Sequence, residues 1–279
     1  MIRAERLTDS VTYHGEGPVF CGQLLWVDML AGDVLTLEPD GLVTRRHISN
    51  VVAALRPRVG GGYVYATERG FALDDGTTTA VRPVVELWSD AGVRMNEGGC
   101  DPDGRFYCGS MAYDLTAGAA SLYRLDPDGS SSTVLTGLTI SNGLDWTPTG
   151  DEAYYVDSPT GRIDVFDYEP ELGLANRRSF VSVPAGLPDG LTIDEEGGVW
   201  VAIWGAGAVH RYAPDGKLSE VVTVPTAQVT ACTFGGPGYA ELFITTSREG
   251  LSATEDPVAG SLFRTEPGVR GRPVRPFGG

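Results

Sequence analysis

Six times along this chain an aromatic residue sits inside a short β-type run, at nearly even spacing. Trp26, Tyr65, Phe106, Tyr154, Trp200 and Phe243 are separated by 39, 41, 48, 46 and 43 residues. A period of ~40–50 residues is the length of one four-stranded propeller blade. The runs around them, such as Leu24-Leu25-Trp26-Val27-Asp28 and Val199-Trp200-Val201-Ala202, are aliphatic and aromatic and are bounded by turn residues, which reads as strand. Several are followed by a second strand that ends in a Pro-Asp-Gly type turn, as in Ala208-Val209-His210-Arg211-Tyr212-Ala213-Pro214-Asp215-Gly216. No amphipathic helix of useful length interrupts them. The expected fold is therefore all-β, a six-bladed β-propeller occupying residues 1–279 as a single domain. A large β-sandwich would leave a period near 45 unexplained. Residues 1–12 are expected to close the ring by supplying an outer strand to the last blade.

The charge balance narrows the partners. At a net charge of −16 the chain repels nucleic-acid phosphates and anionic membrane surfaces, so neither is an expected partner. Lys217 is the only lysine and sits in a turn, which leaves no Schiff-base or P-loop lysine. Cys21, Cys100, Cys108 and Cys232 form no C-x-x-C pair and read as free thiols of a reducing compartment. Met1-Ile2-Arg3-Ala4-Glu5-Arg6 lacks the apolar run of a signal peptide, and no stretch approaches the ~20 apolar residues of a membrane helix. A cytoplasmic protein is expected. Nothing in the sequence fixes its oligomeric state.

Four polar segments precede four of the aromatic strands. They are Gly15-Glu16-Gly17-Pro18, Arg94-Met95-Asn96-Glu97-Gly98, Ser141-Asn142-Gly143-Leu144-Asp145 and Pro188-Asp189-Gly190-Leu191. In a propeller the innermost strand of each blade comes first and its start opens onto the central channel. Glu16, Asn96, Asn142 and Asp189 are expected there, converging on the axis. Two carboxylates and two amides in that position suit one divalent cation. The other two blades place Val52-Ala53-Ala54 and Val229-Thr230-Ala231 at the same point, so the polar set is a selected part of the ring.

Each residue also has a plainer explanation. Pro-Asp-Gly occurs five times, at 39–41, 102–104, 127–129, 188–190 and 214–216, and aspartate favours turns through its own backbone. Asp189 differs in being followed by Leu191-Thr192-Ile193 and then another turn, which makes it the beginning of a strand. Asn142 before Gly143 resembles an Asn-Gly turn, but Leu144-Asp145-Trp146 and a further turn follow it. Arg94 and Asn96 alternate, so both side chains face one side of an extended segment. The plainer account makes them a surface salt bridge involving Glu97. His14 lies near Glu16 at the channel mouth, whereas His47 and His210 fall in outer strands. There is no H-E-x-x-H, G-x-S-x-G, G-x-G-x-x-G or Walker motif.

At these four segments, roughly over residues 12–265, the chain resembles the senescence marker protein/gluconolactonase/luciferin-regenerating-enzyme family, the regucalcin-like propellers. Phe234-Gly235-Gly236-Pro237 and Thr245-Thr246-Ser247-Arg248 echo its last blade. The resemblance implies one divalent metal in the central tunnel, ligated by Glu16, Asn142 and Asp189. It also implies that Arg94 and Asn96 bind substrate oxygens and that Asp189 serves as general base. The implied activity is hydrolysis of a sugar lactone to the aldonic acid. In that chemistry the metal polarises the carbonyl, and either Asp189 or a metal-held hydroxide drives the attack of water. The all-oxygen ligand set favours Ca²⁺, Mg²⁺ or Mn²⁺, with Zn²⁺ and Fe²⁺ compatible with an open catalytic site. Ala117-Gly118-Ala119-Ala120 stands where some relatives carry an acidic substrate-binding residue, so the sugar preference stays open. Two rival readings are an organophosphate or other ester hydrolase on the same scaffold, and a calcium-binding propeller without catalysis.

Overall fold

The computed structural model describes residues 2–252 and 254–279. It is a six-bladed β-propeller. Blades 1 to 4 are each four consecutive antiparallel strands. Their innermost members are Gly15–Phe20, Val52–Pro57, Val93–Cys100 and Ser141–Trp146. Blades 5 and 6 begin with Leu187–Ile193 and Val229–Gly235. Each innermost strand packs on the innermost strand of the next blade, and the last packs on the first, so the ring is closed.

The expected closure is present and goes further than expected. Glu5–Arg6 pairs antiparallel with Phe263–Thr265 as the outer strand of blade 6. Ile2–Arg3 adds a fifth, parallel strand to blade 5 against Leu218–Thr223. Ala4, buried between these two pairings, donates its N–H to the Thr223 carbonyl at 2.9 Å. One short segment thus ties two blades together. Met1, part of the expectation, lies outside the described residues.

All six periodic aromatics are buried, and each lies on the second strand of its blade. They fill the space between blades: Trp200 of blade 5 meets Phe234 of blade 6 edge-on, with centroids 5.7 Å apart. Aromatic pairs in this geometry add ~0.5–1.5 kcal/mol beyond their buried area, and the apolar burial itself supplies most of the inter-blade cohesion. The four cysteines are free, three of them buried. Among the described residues no helix is long and apolar enough to cross a membrane.

The far end of the axis is covered by the chain after the last strand. Gly271 donates to the Tyr239 carbonyl, Arg272 bonds Asp145, and Phe277 and Gly278 donate to the carbonyls of Pro57 and Gly104. These partners belong to the ends of the innermost strands and the turns that follow them, so only the opposite end of the axis opens directly to the site described next.

Candidate functional site

Every innermost strand gains one residue over its neighbour near its start. In blade 3, Met95 pairs with Ser110 but Gly98 with Cys108. Blade 4 shifts between Ser141 and Leu144, and blade 5 between Pro188 and Leu191. Blade 1 shifts between Glu16 and Val19, while blades 2 and 6 shift across Ala53 and Thr230. A bulge of this kind bends the strand and re-aims side chains that a regular ladder would send above and below the sheet. Asn96, Asn142 and Asp189 sit in such bulges. Thr230 does too, but its hydroxyl is taken up by the Gly15 carbonyl at 2.6 Å.

Glu16 departs from the expected common phase. By register it matches Met95, Ser141 and Pro188, one residue ahead of the bulge, and Gly17 occupies the place of Asn96, Asn142 and Asp189. Gly17 has φ +50, a left-handed conformation that glycine adopts without a Cβ clash. The glutamate still lines the same cavity as the other three.

The Pro-Asp-Gly copies separate as the sequence suggests. At 41, 104, 129 and 216 the glycine has φ between +76 and +87, as hairpin turns require. Gly190 is in a strand, and its backbone passes close to blade 6: a Cβ there would lie 2.5 Å from that of Ala231. Gly190→Ala is expected to destabilise the protein by roughly 1–3 kcal/mol through overpacking. Urea denaturation checks this, and an unchanged midpoint would show that the two strands part freely.

Glu16, Arg94, Asn96, Asn142 and Asp189 line one cavity of about 380 Å³ at the open end of the axis. All five are buried. Arg94 Nη1 donates to Asn96 Oδ1 at 2.8 Å and to the Met95 carbonyl at 3.0 Å, and Asn96 Nδ2 donates to the Ser141 carbonyl at 3.0 Å. The two side chains therefore do face one side. Asn96 retains one N–H and one lone pair for a ligand. Asn142 Nδ2 donates to Ser158 Oγ at 3.1 Å, which turns Oδ1 the other way.

The electrostatics of the floor suit a positive charge. Burial pushes Glu16 up to about 7, against a lowering contribution from the Gly17 N–H and Arg94. Burial, then the charges of Glu16 and Glu97, hold Asp189 well above the usual carboxylate range. Asn142 Oδ1 and Asp189 Oδ1 are buried without any hydrogen-bond partner. Unpartnered buried oxygens are costly, ~1–3 kcal/mol each. A hard divalent cation would satisfy them and both carboxylates together, so the donor set fits one. Among the described residues no trio of His, Cys, Asp or Glu forms a metal cluster; the donors here are two carboxylates and an amide oxygen.

His14 lies at the channel mouth as expected, whereas Glu97, Glu249 and Ser158 were not legible as site residues. Glu97 makes no salt bridge with Arg94: it is buried, and one oxygen lacks a partner. As the second bulge residue it points down the axis, where its Oε1 would lie 3.0 Å from a Cβ at Gly190. His14 lines the cavity, and burial followed by the Arg94 charge lowers its pKa to about 3, so it is neutral. Its Nδ1 lies 2.8 Å from Ser247 Oγ and 3.4 Å from Glu249. Glu249 and Ser158 also reach the cavity, and only Glu249 had a nearby signal, the Thr245-Thr246-Ser247-Arg248 segment.

Fold and site together define a propeller with an oxygen-donor centre at one end of its axis. The chain belongs to the SMP-30/Gluconolactonase/LRE-like family, whose model matches residues 14–248. It is 36% identical to regucalcin of Danio rerio over 283 residues, covering 95% of each chain. It is 33% identical over 279 residues to a putative sugar lactone lactonase of Bacillus subtilis, again covering 95% of each. Among solved structures it is similar to a calcium-binding regucalcin of Agrobacterium tumefaciens, with TM-score 0.93, 29% identity and coverage of 99% and 97%.

Proposed function

We propose that this protein is a metal-dependent lactonase that hydrolyses a cyclic ester, of the sugar-lactone type that the family suggests, to the open hydroxy acid. The observation that carries this is the pair of unpartnered buried oxygens, Asn142 Oδ1 and Asp189 Oδ1, in one cavity with Glu16. Glu16, Asn142 and Asp189 would hold a divalent cation, with Ca²⁺, Mg²⁺ and Mn²⁺ the best matches to oxygen donors. A cation in that place supplies Lewis-acid polarisation of the ester carbonyl.

The remaining work falls to side chains. Asp189 takes a proton from water as the water oxygen bonds to the carbonyl carbon. It returns a proton to the ring oxygen as the ring C–O bond breaks. Arg94 and Asn96, locked to each other and to the Ser141 carbonyl, orient oxygens next to the carbonyl. His14 is neutral and held by Ser247, which suits it to shaping the wall rather than neutralising charge. Glu16 and Asp189 would balance the charge of a divalent cation, and Glu249 that of Arg94, so no net positive charge holds the carboxylate product.

A pH-indicator assay over a panel of lactones, aryl esters and phosphotriesters tests the reading. Lactones are expected to be turned over best. A preference for phosphotriesters would replace this reading with an organophosphate hydrolase. Turnover of none of them, with cation binding intact, would leave a calcium-binding propeller.

A further inference from the structure

We propose that the lactone taken by this site carries an apolar substituent, alkyl or aryl, and that a fully hydroxylated aldono-lactone is the weaker ligand. This rests on the lactonase reading above and concerns the wall of the cavity rather than its floor. Met111, Tyr113, Leu115, Ile140, Leu187 and Trp204 all face the cavity. They come from blades 3, 4 and 5 and form a largely continuous apolar side above Asp189 and Asn142.

Three of them are exposed at the mouth: Tyr113 at 45%, Leu115 at 56% and Leu187 at 39%. Single exposed apolar residues need no explanation, but a contiguous group at the rim of a polar cavity marks a binding surface. Leu115 adds a second, independent sign. It closes a turn with its N–H on the Ala112 carbonyl and has φ 61. The left-handed conformation costs a leucine ~1–2 kcal/mol, which glycine would avoid. The strained residue is apolar and stands in solvent, so neither packing nor backbone geometry accounts for it. A ligand surface does. Tyr113 is fixed in place by its hydroxyl, which donates to Glu68 at 2.9 Å, and by Arg94, whose guanidinium lies 5.8 Å from the ring centre.

The same wall is poor in groups that could receive sugar hydroxyls. His14 is bonded to Ser247 and Ser158 accepts from Asn142, with Glu249 beside His14. Arg94, which spends only Nη1 on protein partners, and Asn96 serve the oxygens next to the carbonyl rather than a substituent further out. After Thr116 the loop continues as Ala117-Gly118-Ala119-Ala120, with no polar side chain. A hydroxyl buried there without a partner loses ~1–3 kcal/mol. An alkyl group in the same place gains about 0.8 kcal/mol for each CH₂ removed from water.

The test uses two non-hydrolysable lactams, a hexyl-substituted δ-lactam and gluconolactam, titrated calorimetrically into the protein supplied with Mn²⁺. The corresponding lactones are assayed for turnover in parallel. The hexyl lactam is expected to bind about tenfold tighter or better, a difference of ~1.4 kcal/mol. Leu115→Gly, which relieves the backbone strain and so folds at least as well, is expected to reduce that preference several-fold. Equal or tighter binding of gluconolactam overturns the proposal. The two readings fail separately. Tight hexyl-lactam binding without turnover of either lactone keeps this inference and rejects the hydrolase. Turnover of gluconolactone with weak hexyl-lactam binding does the reverse.

Discussion

Asp189→Asn is expected to lower lactone turnover by about 10³-fold, within the range for removal of a general base. The fold should survive intact. In the cation-free protein burial, then the charges of Glu16 and Glu97, favour the neutral form of the Asp189 carboxyl. Asparagine has nearly the shape of that neutral acid. The chelated variant should therefore melt at or above the temperature of the chelated wild type, because a costly buried carboxyl is gone. The two results together separate chemistry from stability: a variant that lost both activity and several degrees of melting temperature would make Asp189 a structural residue. Glu16→Gln should instead act mainly on cation affinity, with turnover partly restored at high cation concentration.

In chelated protein the buried carboxylates should cost stability as pH rises from about 4.5 to about 7. His14, lowered from 6.5 to about 3, returns stability up to about pH 6.5, so the carboxylate effect is read as the difference between chelated and cation-loaded protein. The sign follows from the direction of the shifts. Glu16 is raised from 4.5 to about 7, so the folded state holds its proton more tightly than the unfolded chain. Asp189 and Glu97 are displaced in the same direction, each chiefly by burial. Below about pH 3.8, the ordinary Asp value, all three are largely protonated in both states and their full contribution is present. As pH rises, the unfolded chain releases its protons first and unfolding becomes easier. For Glu16 alone the loss is on the order of 3 kcal/mol, or roughly 6–12 °C in melting temperature. A bound divalent cation replaces the protons and should abolish this slope. Melting curves of chelated and Mn²⁺-loaded protein at pH 5 and pH 8 check it. The same pH profile with and without cation would mean that the carboxylates are compensated by other means.

The architecture was largely legible because it depends on spacing. One aromatic per blade must fill the gap to the next blade, and that requirement writes a period near 45 into the chain. Asp189 was also readable: its Pro-Asp-Gly has another turn too close behind it to be a hairpin turn itself, and Gly190 indeed lies in a strand. The bulges were not readable. They depend on how two strands pair, and the pairing leaves no trace in either strand alone. That is why Glu16 is one register position ahead of its counterparts. It is also why Glu97, which looks like a surface acid beside Arg94, is buried along the axis. The ends of the chain were half legible, since an outer strand for the last blade was expected and the extra parallel strand on blade 5 was not. The cavity wall escaped notice because Tyr113, Leu115, Leu187 and Trp204 come from three separate loops and strand ends brought together only by the ring.

The most direct measurement is the rate of glucono-δ-lactone hydrolysis, corrected for spontaneous ring opening, as cation is added back to chelated protein. The expected result is no enzymatic rate without cation, and a rate that climbs to a plateau at one Mn²⁺ or Ca²⁺ per chain. In Asp189→Asn the plateau should stay about 10³-fold lower at every cation level. An enzymatic rate that is the same before and after cation addition would contradict a metal-dependent site at Glu16, Asn142 and Asp189.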